Sequence, residues 1–359
     1  MQYMTGWEDE FKINKSAYIK IMDETLNQKQ ETDISFLENS LSELHDRDFV
    51  IACASGTDAL HISLLSYGIG LDDEVLVTDF SWLSSASCVA MVGAIPVFCD
   101  IDLESYHMSL DSIKRMVSDK TKAIVYPHLF GNMSDTTEIE EFCAENDIIF
   151  IEDSCQSIGS SYKGRIAGAI GDVSTLSFNA NKNIAGIAGG GAIMTDDYEI
   201  AEFCRKAVVH GKGEFLGRNS KMLLFNARVI DYRLQSIWEY QTWRQKNAEV
   251  ITAALGKHIP KLFRVQNDPN VDHNYHKYTV RFRNVIERNK MRNAIGAAVH
   301  YPDPISSFPM WKDIPHRKDD TVNARLLCDT IMTLPLHHYT DTQKVHDLAN
   351  LFLRVVDDN

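Results

Sequence analysis

Short apolar segments alternate with helical patterns from residue 49 to residue 195, and this alternation constrains the fold more than any other feature. Parallel strands that are buried on both faces form continuous apolar runs, and a helix usually connects one such strand to the next. The sequence therefore predicts an α/β fold: a large three-layer domain whose mostly parallel sheet carries helices on both faces. Strands are predicted over residues 49–52, 74–78, 95–100, 123–127, 148–152, 173–178 and 191–194, and helices over 57–67, 83–91, 110–117 and 136–146.

The pattern changes near residue 235. A long helix is predicted over 234–255, followed by a strand over 277–282 and a terminal helix over 341–356. We therefore expect residues 1–235 to form the large domain and residues 236–359 to form a smaller C-terminal α+β domain. The first 35 residues are polar, with a helical pattern over 16–27, and one hypothesis is that they form an arm on a neighbouring subunit.

A lysine, Lys182, follows the predicted strand 173–178 and precedes a tract of small residues at 185–192. At the end of a buried strand its amine is expected to lie in a cleft. Burial there favours the neutral amine, which can attack a carbonyl to form a Schiff base. Taken alone, the position leaves open that Lys182 is an ordinary loop lysine.

An aspartate, Asp153, ends another apolar run, 148–151, at the edge where open α/β sheets hold their ligands. A carboxylate at that edge can pair with the protonated pyridine nitrogen of pyridoxal 5′-phosphate (PLP), which keeps this cofactor an effective electron sink. A helix N-cap and a metal ligand are the alternatives for Asp153 alone.

A turn of small polar residues, Ser55, Gly56 and Thr57, opens a predicted helix. Free backbone N–H groups, a hydroxyl and the positive end of the helix dipole suit a phosphate monoester, although many such turns only cap a helix. The triplet 189–191 is glycine, but no Gly-Lys-Ser/Thr ending and no GxGxxG after the first strand are present, which excludes the common nucleotide-binding loops.

Composition narrows the class of protein. The 359 residues carry a formal net charge of −14, which argues against a nucleic-acid partner. No apolar stretch approaches the roughly 20 residues needed to cross a bilayer, the N-terminal segment lacks the apolar core of a signal peptide, and the seven cysteines form no CxxC pair. We expect a cytoplasmic enzyme with reduced cysteines and no membrane association.

These motifs occur in one order that resembles the DegT/DnrJ/EryC1/StrS family of PLP-dependent sugar aminotransferases, and the resemblance runs from about residue 36 to the end of the chain. It is carried by residues 55–60, 73–75, 81–82, 128–131, 152–156, 171–172, 177–183, 210–211, 225–228, 300–302 and 334–336. The resemblance implies a fold type I aminotransferase, in which the large domain binds PLP.

The resemblance also implies roles around the cofactor ring. Lys182 would carry PLP as a Schiff base and then move a proton between substrate and cofactor. Asp153 would hold the pyridine nitrogen, and Gln156 would lie near the ring hydroxyl. Trp82 would stack on the pyridine face, although packing in the core is its alternative.

The phosphate and the substrates have implied residues as well. Gly56, Thr57 and Ser177 would hold the phosphate. Asn226 would reach the phosphate in the neighbouring subunit, which implies a homodimer with shared sites. The substrate pocket would be lined by His300 and Tyr301, for which a structural role is the alternative; for His128 the structural interpretation is preferred.

The resemblance further implies an amino acid donor, glutamate, and a nucleotide-linked keto-sugar acceptor. A second hypothesis concerns the only marked concentration of basic residues in the chain. Part of this group would face the diphosphate of that acceptor. Its members are Arg205, Lys206, His210, Lys212, Arg218, Lys221 and Arg228.

Several departures keep alternatives open. Family members usually have an acidic residue where this chain has Ala188 and an aromatic one where it has Ala227, and the segment around Leu224 and Arg233 lacks the usual glycine and alanine pair. A non-sugar aminotransferase and a non-catalytic regulator with this fold therefore remain possible functions. Sugar dehydration is disfavoured, because the relatives that perform it carry histidine in place of Lys182.

Overall fold

An eight-stranded sheet forms the centre of the molecule, which is described from a computed structural model covering residues 6–27, 33–256, 263–264, 268–334 and 336–357. The strand order is β1-β9-β8-β5-β4-β2-β3-β13. Adjacent strands in the run β8-β5-β4-β2-β3-β13 are parallel. In this sheet only the pairs β8 with β9 and β9 with β1 are antiparallel. The strands are β1 Phe49–Cys53, β2 Glu74–Thr78, β3 Ile95–Cys99, β4 Thr121–Pro127, β5 Ile149–Asp153, β8 Val173–Ser177, β9 Gly191–Thr195 and β13 Arg317–Lys318.

Apolar side chains of the central strands explain why the sheet is covered on both faces. Val77 and Val125 pack into one buried cluster, while Leu76 and Ile124, which are their chain neighbours, pack into another. This alternation follows from the two-residue period of a strand. The covering and flanking helices of this part of the chain are α1 Gly6–Asn27, α2 Ser35–His45, α3 Gly56–Ser66, α4 Ser84–Met91, α5 Leu110–Met116, α6 Thr137–Glu145, α7 Tyr198–Ala207 and α8 Leu224–Leu234.

Two three-stranded sheets complete the β structure. One has the order β11-β6-β7, and the other, β10-β12-β14, lies with helices of the C-terminal part around a separate buried cluster. The strands are β6 Ser161–Tyr162, β7 Arg165–Ile166, β10 Phe263–Arg264, β11 Val271–Asp272, β12 Tyr278–Phe282 and β14 Ile331–Leu334, and the helices are α9 Ile237–Leu255, α10 Val285–Ile295, α11 Val322–Thr330 and α12 Thr342–Asp357.

The predicted fold class is confirmed. The helix predicted over 234–255 is α9, Ile237–Leu255, which begins three residues later than predicted because Gln235 and Ser236 separate it from the end of α8 at Leu234. The division at residue 235 stays a prediction. After that point the chain returns to the main sheet, where β13 pairs with β3. Residues 1–5 and 28–32 of the predicted arm, and Pro335 of the last motif, lie outside the described residues.

Helix α1 packs on its own chain through a buried ion pair, and the arm on a neighbouring subunit stays a hypothesis. Its Glu10 is fully buried and lies 2.5 Å from the guanidinium of Arg233 in α8, which is only 1% exposed. The carboxylate also accepts a hydrogen bond of 2.6 Å from Tyr18. Arg233 in turn donates to the carbonyls of Asn183 and Ala185, directly after Lys182. The pair therefore connects the N-terminal helix to the segment that carries the candidate lysine.

Among the described residues, no helix combines the length and the apolar character that crossing a membrane would require.

Candidate active site

A cavity of about 310 Å³ opens at the carboxyl ends of the central strands, where a ligand site of an open α/β sheet is expected. Strands β1, β2, β5 and β8 each lead into its wall. Nine of the ten predicted site residues line it: Gly56, Thr57, Trp82, Asp153, Gln156, Ser177, Lys182, His300 and Tyr301. The sheet therefore brings together residues that are widely separated in sequence.

Lys182 lies in the loop that follows β8, with its backbone N–H donating to the Asn179 carbonyl at 2.9 Å. Burial lowers the pKa of its amine, while Cys155 and Asp153 nearby act in the opposite direction. The net shift is downward, which increases the share of neutral amine at a given pH. A place in the cavity and a lowered pKa are properties that a nucleophilic lysine requires, and the catalytic role of Lys182 stays a prediction.

Asp153 is the last residue of β5 and is 8% exposed. One carboxylate oxygen accepts a hydrogen bond from the Cys155 N–H at 3.1 Å, and the other accepts a long one of 3.5 Å from the Ser85 hydroxyl. No ion pair of Asp153 is found in the described parts of the chain, so its charge is available to a cationic ligand group. Those parts also contain no cluster of three or more His, Cys, Asp and Glu side chains placed to hold a metal ion.

The preceding residue, Glu152, fixes the end of β5. Its carboxylate is fully buried and accepts hydrogen bonds from His128 at 3.0 Å, from the N–H of Gly168 at 2.6 Å and from the N–H of Ile170 at 2.9 Å. Burial alone would raise the pKa of Glu152, but these donors together hold it well below its usual range. His128 thus belongs to the support of Asp153 and does not line the cavity, in agreement with the structural interpretation.

This arrangement predicts acid sensitivity. A carboxyl group whose pKa is lower in the folded state stabilises the fold above its unfolded pKa, and this contribution is lost as the pH falls below about 4.3 towards the folded value. We expect the wild-type thermal midpoint to fall more steeply between about pH 5 and about pH 2.5 than that of Glu152→Gln, which should already be less stable at pH 7. Parallel slopes in the two proteins would contradict this assignment.

The turn that opens α3, residues Ser55, Gly56 and Thr57, lines the cavity, and we call it the cradle. Ser55 caps the helix by accepting a hydrogen bond from the Asp58 N–H at 3.0 Å, and the Thr57 hydroxyl donates to Ser84 at 3.0 Å. Gly56 lies so close to β8 that an added Cβ would be 2.8 Å from the Cβ of Ser177. The start of α3 packs this closely on β8 only because Gly56 has no side chain, and a helix N-terminus in a cavity wall suits an anion. The residues present therefore fit the phosphate end of PLP.

Replacing Gly56 by alanine tests the cradle. The Cβ would displace Ser177, and such overpacking typically costs about 1–3 kcal/mol. We expect Gly56→Ala to bind PLP about tenfold more weakly in equilibrium dialysis. Gly256→Ala is the matched control, because a Cβ there has no neighbour within 4 Å; equal PLP affinities in the two variants would refute the cradle.

The opposite wall is a connected group of side chains. Gln156 accepts a hydrogen bond from the Phe130 N–H at 2.9 Å and donates one to the Tyr301 hydroxyl at 3.0 Å, and the rings of Phe130 and Tyr301 stack at 6.1 Å. His300 contacts the Thr333 hydroxyl at 2.8 Å. Trp82 stands at the rim with 61% of its surface exposed, so it is not a core residue and its ring is available to a ligand.

Asn226 is the one predicted site residue that does not line the cavity of its own chain. Its side-chain carbonyl accepts a hydrogen bond from the Ala188 N–H at 3.1 Å, and its amide donates to the Gly189 carbonyl at 2.7 Å. Both ends of the amide therefore hold the glycine-rich loop at the edge of the cavity. Its reach into a neighbouring subunit stays a prediction.

None of the seven basic residues of the diphosphate hypothesis lines the cavity of its own chain. Arg205 pairs with Glu38 at 3.1 Å, Lys206 with Glu214 at 2.6 Å, and Arg218 with Asp58 at 2.9 Å. Within one chain, these three cations already have carboxylate partners, and the hypothesis gains no support.

Sequence reasoning missed several cavity residues: Phe130, Cys155, Asn179, Asn181, His276 and Lys277. Phe130 and Cys155 lie within motifs that were identified without a role for them. Lys277 is a lysine at the start of a strand, and a charged residue bordering an apolar run is the signal that could have found it, as it did for Lys182.

Comparison with known proteins gives the same picture. The DegT/DnrJ/EryC1/StrS aminotransferase family matches residues 14–352. The UDP-2-acetamido-2-deoxy-3-oxo-D-glucuronate aminotransferase of Pseudomonas aeruginosa is 31% identical, over 87% of this chain and 88% of its own length. A pleiotropic regulatory protein of Geobacillus stearothermophilus is 29% identical, over 93% and 92%. The crystal structure of Bacillus subtilis NtdA with bound cofactor PMP superposes with a TM-score of 0.87 at 25% identity, over 96% of this chain and 82% of that one.

The family match covers most of the chain and confirms the predicted class of enzyme and cofactor, a PLP-dependent aminotransferase of fold type I. Sequence, fold and cavity agree: the chain belongs to the DegT/DnrJ/EryC1/StrS aminotransferase family.

Proposed function

We propose that this protein transfers an amino group from an amino acid, L-glutamate, to a nucleotide-linked keto-sugar with PLP as cofactor. The observation that carries the proposal is the arrangement of one cavity. A lysine with a lowered pKa and a buried carboxylate share it with a phosphate cradle at the start of a helix, and the carboxylate has no ion-pair partner among the residues that the structure describes. These are the three groups that a pyridoxal phosphate site requires.

The residues would divide the work as follows. Asp153 would hold the pyridine nitrogen in its protonated form, while Gly56, Thr57 and Ser177 would hold the phosphate. PLP, when bound, supplies an electron sink for the bond broken at the substrate carbon. The amine of Lys182 would take up the proton at the donor carbon in the first half-reaction and return one at the acceptor in the second.

The acceptor is proposed from the relatives. One relative is, by its name, an aminotransferase of a UDP-linked 3-oxo sugar, and it covers most of this chain. The exposed Trp82 and the polar residues His300 and Tyr301 around the opening are compatible with a hydroxyl-rich ring. A homodimer with shared sites, completed by Asn226, and a cytoplasmic location are part of the proposal.

Absorption spectroscopy tests the function. Purified protein loaded with PLP should show a band near the visible edge that is lost when L-glutamate is added, and a nucleotide-linked keto-sugar should restore it. A panel of 3-keto and 4-keto sugars on UDP, GDP and dTDP would identify the acceptor. A band that no amino acid alters would refute the aminotransferase and favour a non-catalytic regulator; one relative is named a pleiotropic regulatory protein.

A further inference from the structure

A second lysine, Lys277, lines the cavity together with Lys182. It directly precedes β12, and its backbone N–H donates to the Phe130 carbonyl at 3.1 Å. Phe130 is itself held by Gln156. Because Phe130 and Gln156 both line the cavity, these hydrogen bonds fix the backbone of Lys277 beside the site. The largely buried side chain of Lys277 is therefore confined there.

The ammonium of Lys277 has no anionic partner in the described parts of the chain. The groups that act on it electrostatically are cations, Arg244 of α9 and Lys182. Burial first, and these two charges second, lower the pKa of Lys277 to about 8. A buried cation without a counter-charge is costly, and natural proteins usually pair such a group or leave it for a ligand.

Histidines complete the surroundings and add no negative charge. The pKa of His276, of His300 and of His337 is lowered, in each case by burial first, and Lys277 contributes in all three. These rings are therefore neutral near pH 7. The Lys277 side of the cavity thus carries an excess of positive charge, whereas the Asp153 side carries the negative charge.

We propose that Lys277 binds a carboxylate of the substrate, which supplies the counter-charge that the described part of the chain lacks. This inference rests on the proposed function, and it deepens it by assigning an acidic group to the substrate. Two sources share this chemistry: the amino acid donor, and a keto-sugar acid with a carboxylate on its ring. The phosphate of the cofactor is the other anion in the cavity, but the cradle at Gly56 and Ser177 already accounts for it.

The test compares Lys277→Gln, which removes the charge, with Lys277→Arg, which keeps it. Lys122→Gln on β4 is the matched control, because that lysine is exposed and lies outside the cavity. For the donor, the rate at which the PLP band is lost is measured against L-glutamate concentration. For the acceptor, KM is measured for a uronate keto-sugar and for its neutral counterpart.

A charge-assisted hydrogen bond to a substrate is worth roughly tenfold or more in affinity. If the donor carries the carboxylate, the half-saturating glutamate concentration should rise at least tenfold in Lys277→Gln and much less in Lys277→Arg. If the acceptor carries it, KM should rise for the uronate alone. Binding of glutarate, a dicarboxylate that cannot react, should also weaken in calorimetry as the pH rises through about 8 in the wild type.

Other outcomes separate the two proposals. If Lys277→Gln changes neither the half-saturating glutamate concentration nor the KM for the uronate, while the wild type converts glutamate, the role of Lys277 is refuted and the proposed function stands. If Lys277→Gln instead loses affinity for PLP, Lys277 serves the cofactor and the inference is also refuted. If the wild type itself converts no amino donor, the proposed function fails, and glutarate calorimetry still decides whether Lys277 binds carboxylates.

Discussion

Lys182→Ala should abolish the loss of the PLP band on addition of L-glutamate. The variant lacks both the amine that would bind the cofactor covalently and the base that would move the substrate proton. Removing a positioned general base typically lowers a rate by about 10²–10⁴-fold, and loss of the nucleophile adds to this. Single-turnover absorption at saturating glutamate is the measurement, and we expect a rate at least 10³-fold below that of the wild type.

Two further proteins make this result specific. Lys212→Ala removes an exposed lysine outside the cavity and should convert glutamate at the wild-type rate. Added methylamine should restore part of the activity of Lys182→Ala, since a small amine can enter the space left by the side chain. If Lys182→Ala retained a rate within tenfold of the wild type, another group would be the base and the proposed role of Lys182 would be wrong.

Glu10→Ala should produce the largest loss of stability, although Glu10 lies in the N-terminal helix and outside the cavity. The substitution leaves the guanidinium of Arg233, which is 1% exposed, without its counter-charge. Removing one partner of a buried ion pair costs about 3–5 kcal/mol of unfolding free energy. We expect a clear fall in the thermal midpoint, together with weaker PLP binding, because Arg233 also holds the Asn183 and Ala185 carbonyls.

A neighbouring ion pair on the same helix is the control. Glu24 lies 3.8 Å from Lys20, and both side chains are mostly exposed. Glu24→Ala should therefore cost no more than about 0.5 kcal/mol. The double variant Glu10→Met with Arg233→Met should recover much of the stability, since an apolar pair can replace a buried ion pair. Equal midpoints for Glu10→Ala and Glu24→Ala would show that the Glu10 pair stabilises nothing.

The strands of the central sheet could be predicted because their sequences carry the signal locally. The prediction for β2 over 74–78 matches its observed bounds. Strand β5 begins and ends one residue later than predicted, and β8 ends one residue earlier than predicted. Site residues at the ends of these strands could be predicted together with the strands, because parallel strands bring their carboxyl ends to one edge of the sheet. Lys182 and Asp153 were found in this way, whereas the role of Ser177 came from the family resemblance.

What could not be predicted depends on contacts between distant segments. The helix predicted over 234–255 begins three residues before α9, because neither glycine nor proline marks the break between α8 and α9 at Gln235 and Ser236. Lys277 enters the cavity because β12 and the loops of the large sheet pack together, and no local pattern encodes that contact. The two hydrogen bonds between the Asn226 amide and the backbone of Ala188 and Gly189 also depend on a contact between distant segments, so no local pattern predicts them.

The short strand β13 has a consequence for how the protein is synthesised. It covers β3, Ile95–Cys99, which would otherwise be an open sheet edge with an apolar sequence. An open edge of this kind can pair with the edge of another chain and aggregate. Because β13 comes more than two hundred residues later, at Arg317–Lys318, this edge stays uncovered on the ribosome until most of the chain has emerged. A nascent chain that stalls before β13 should therefore depend on chaperones to remain unaggregated.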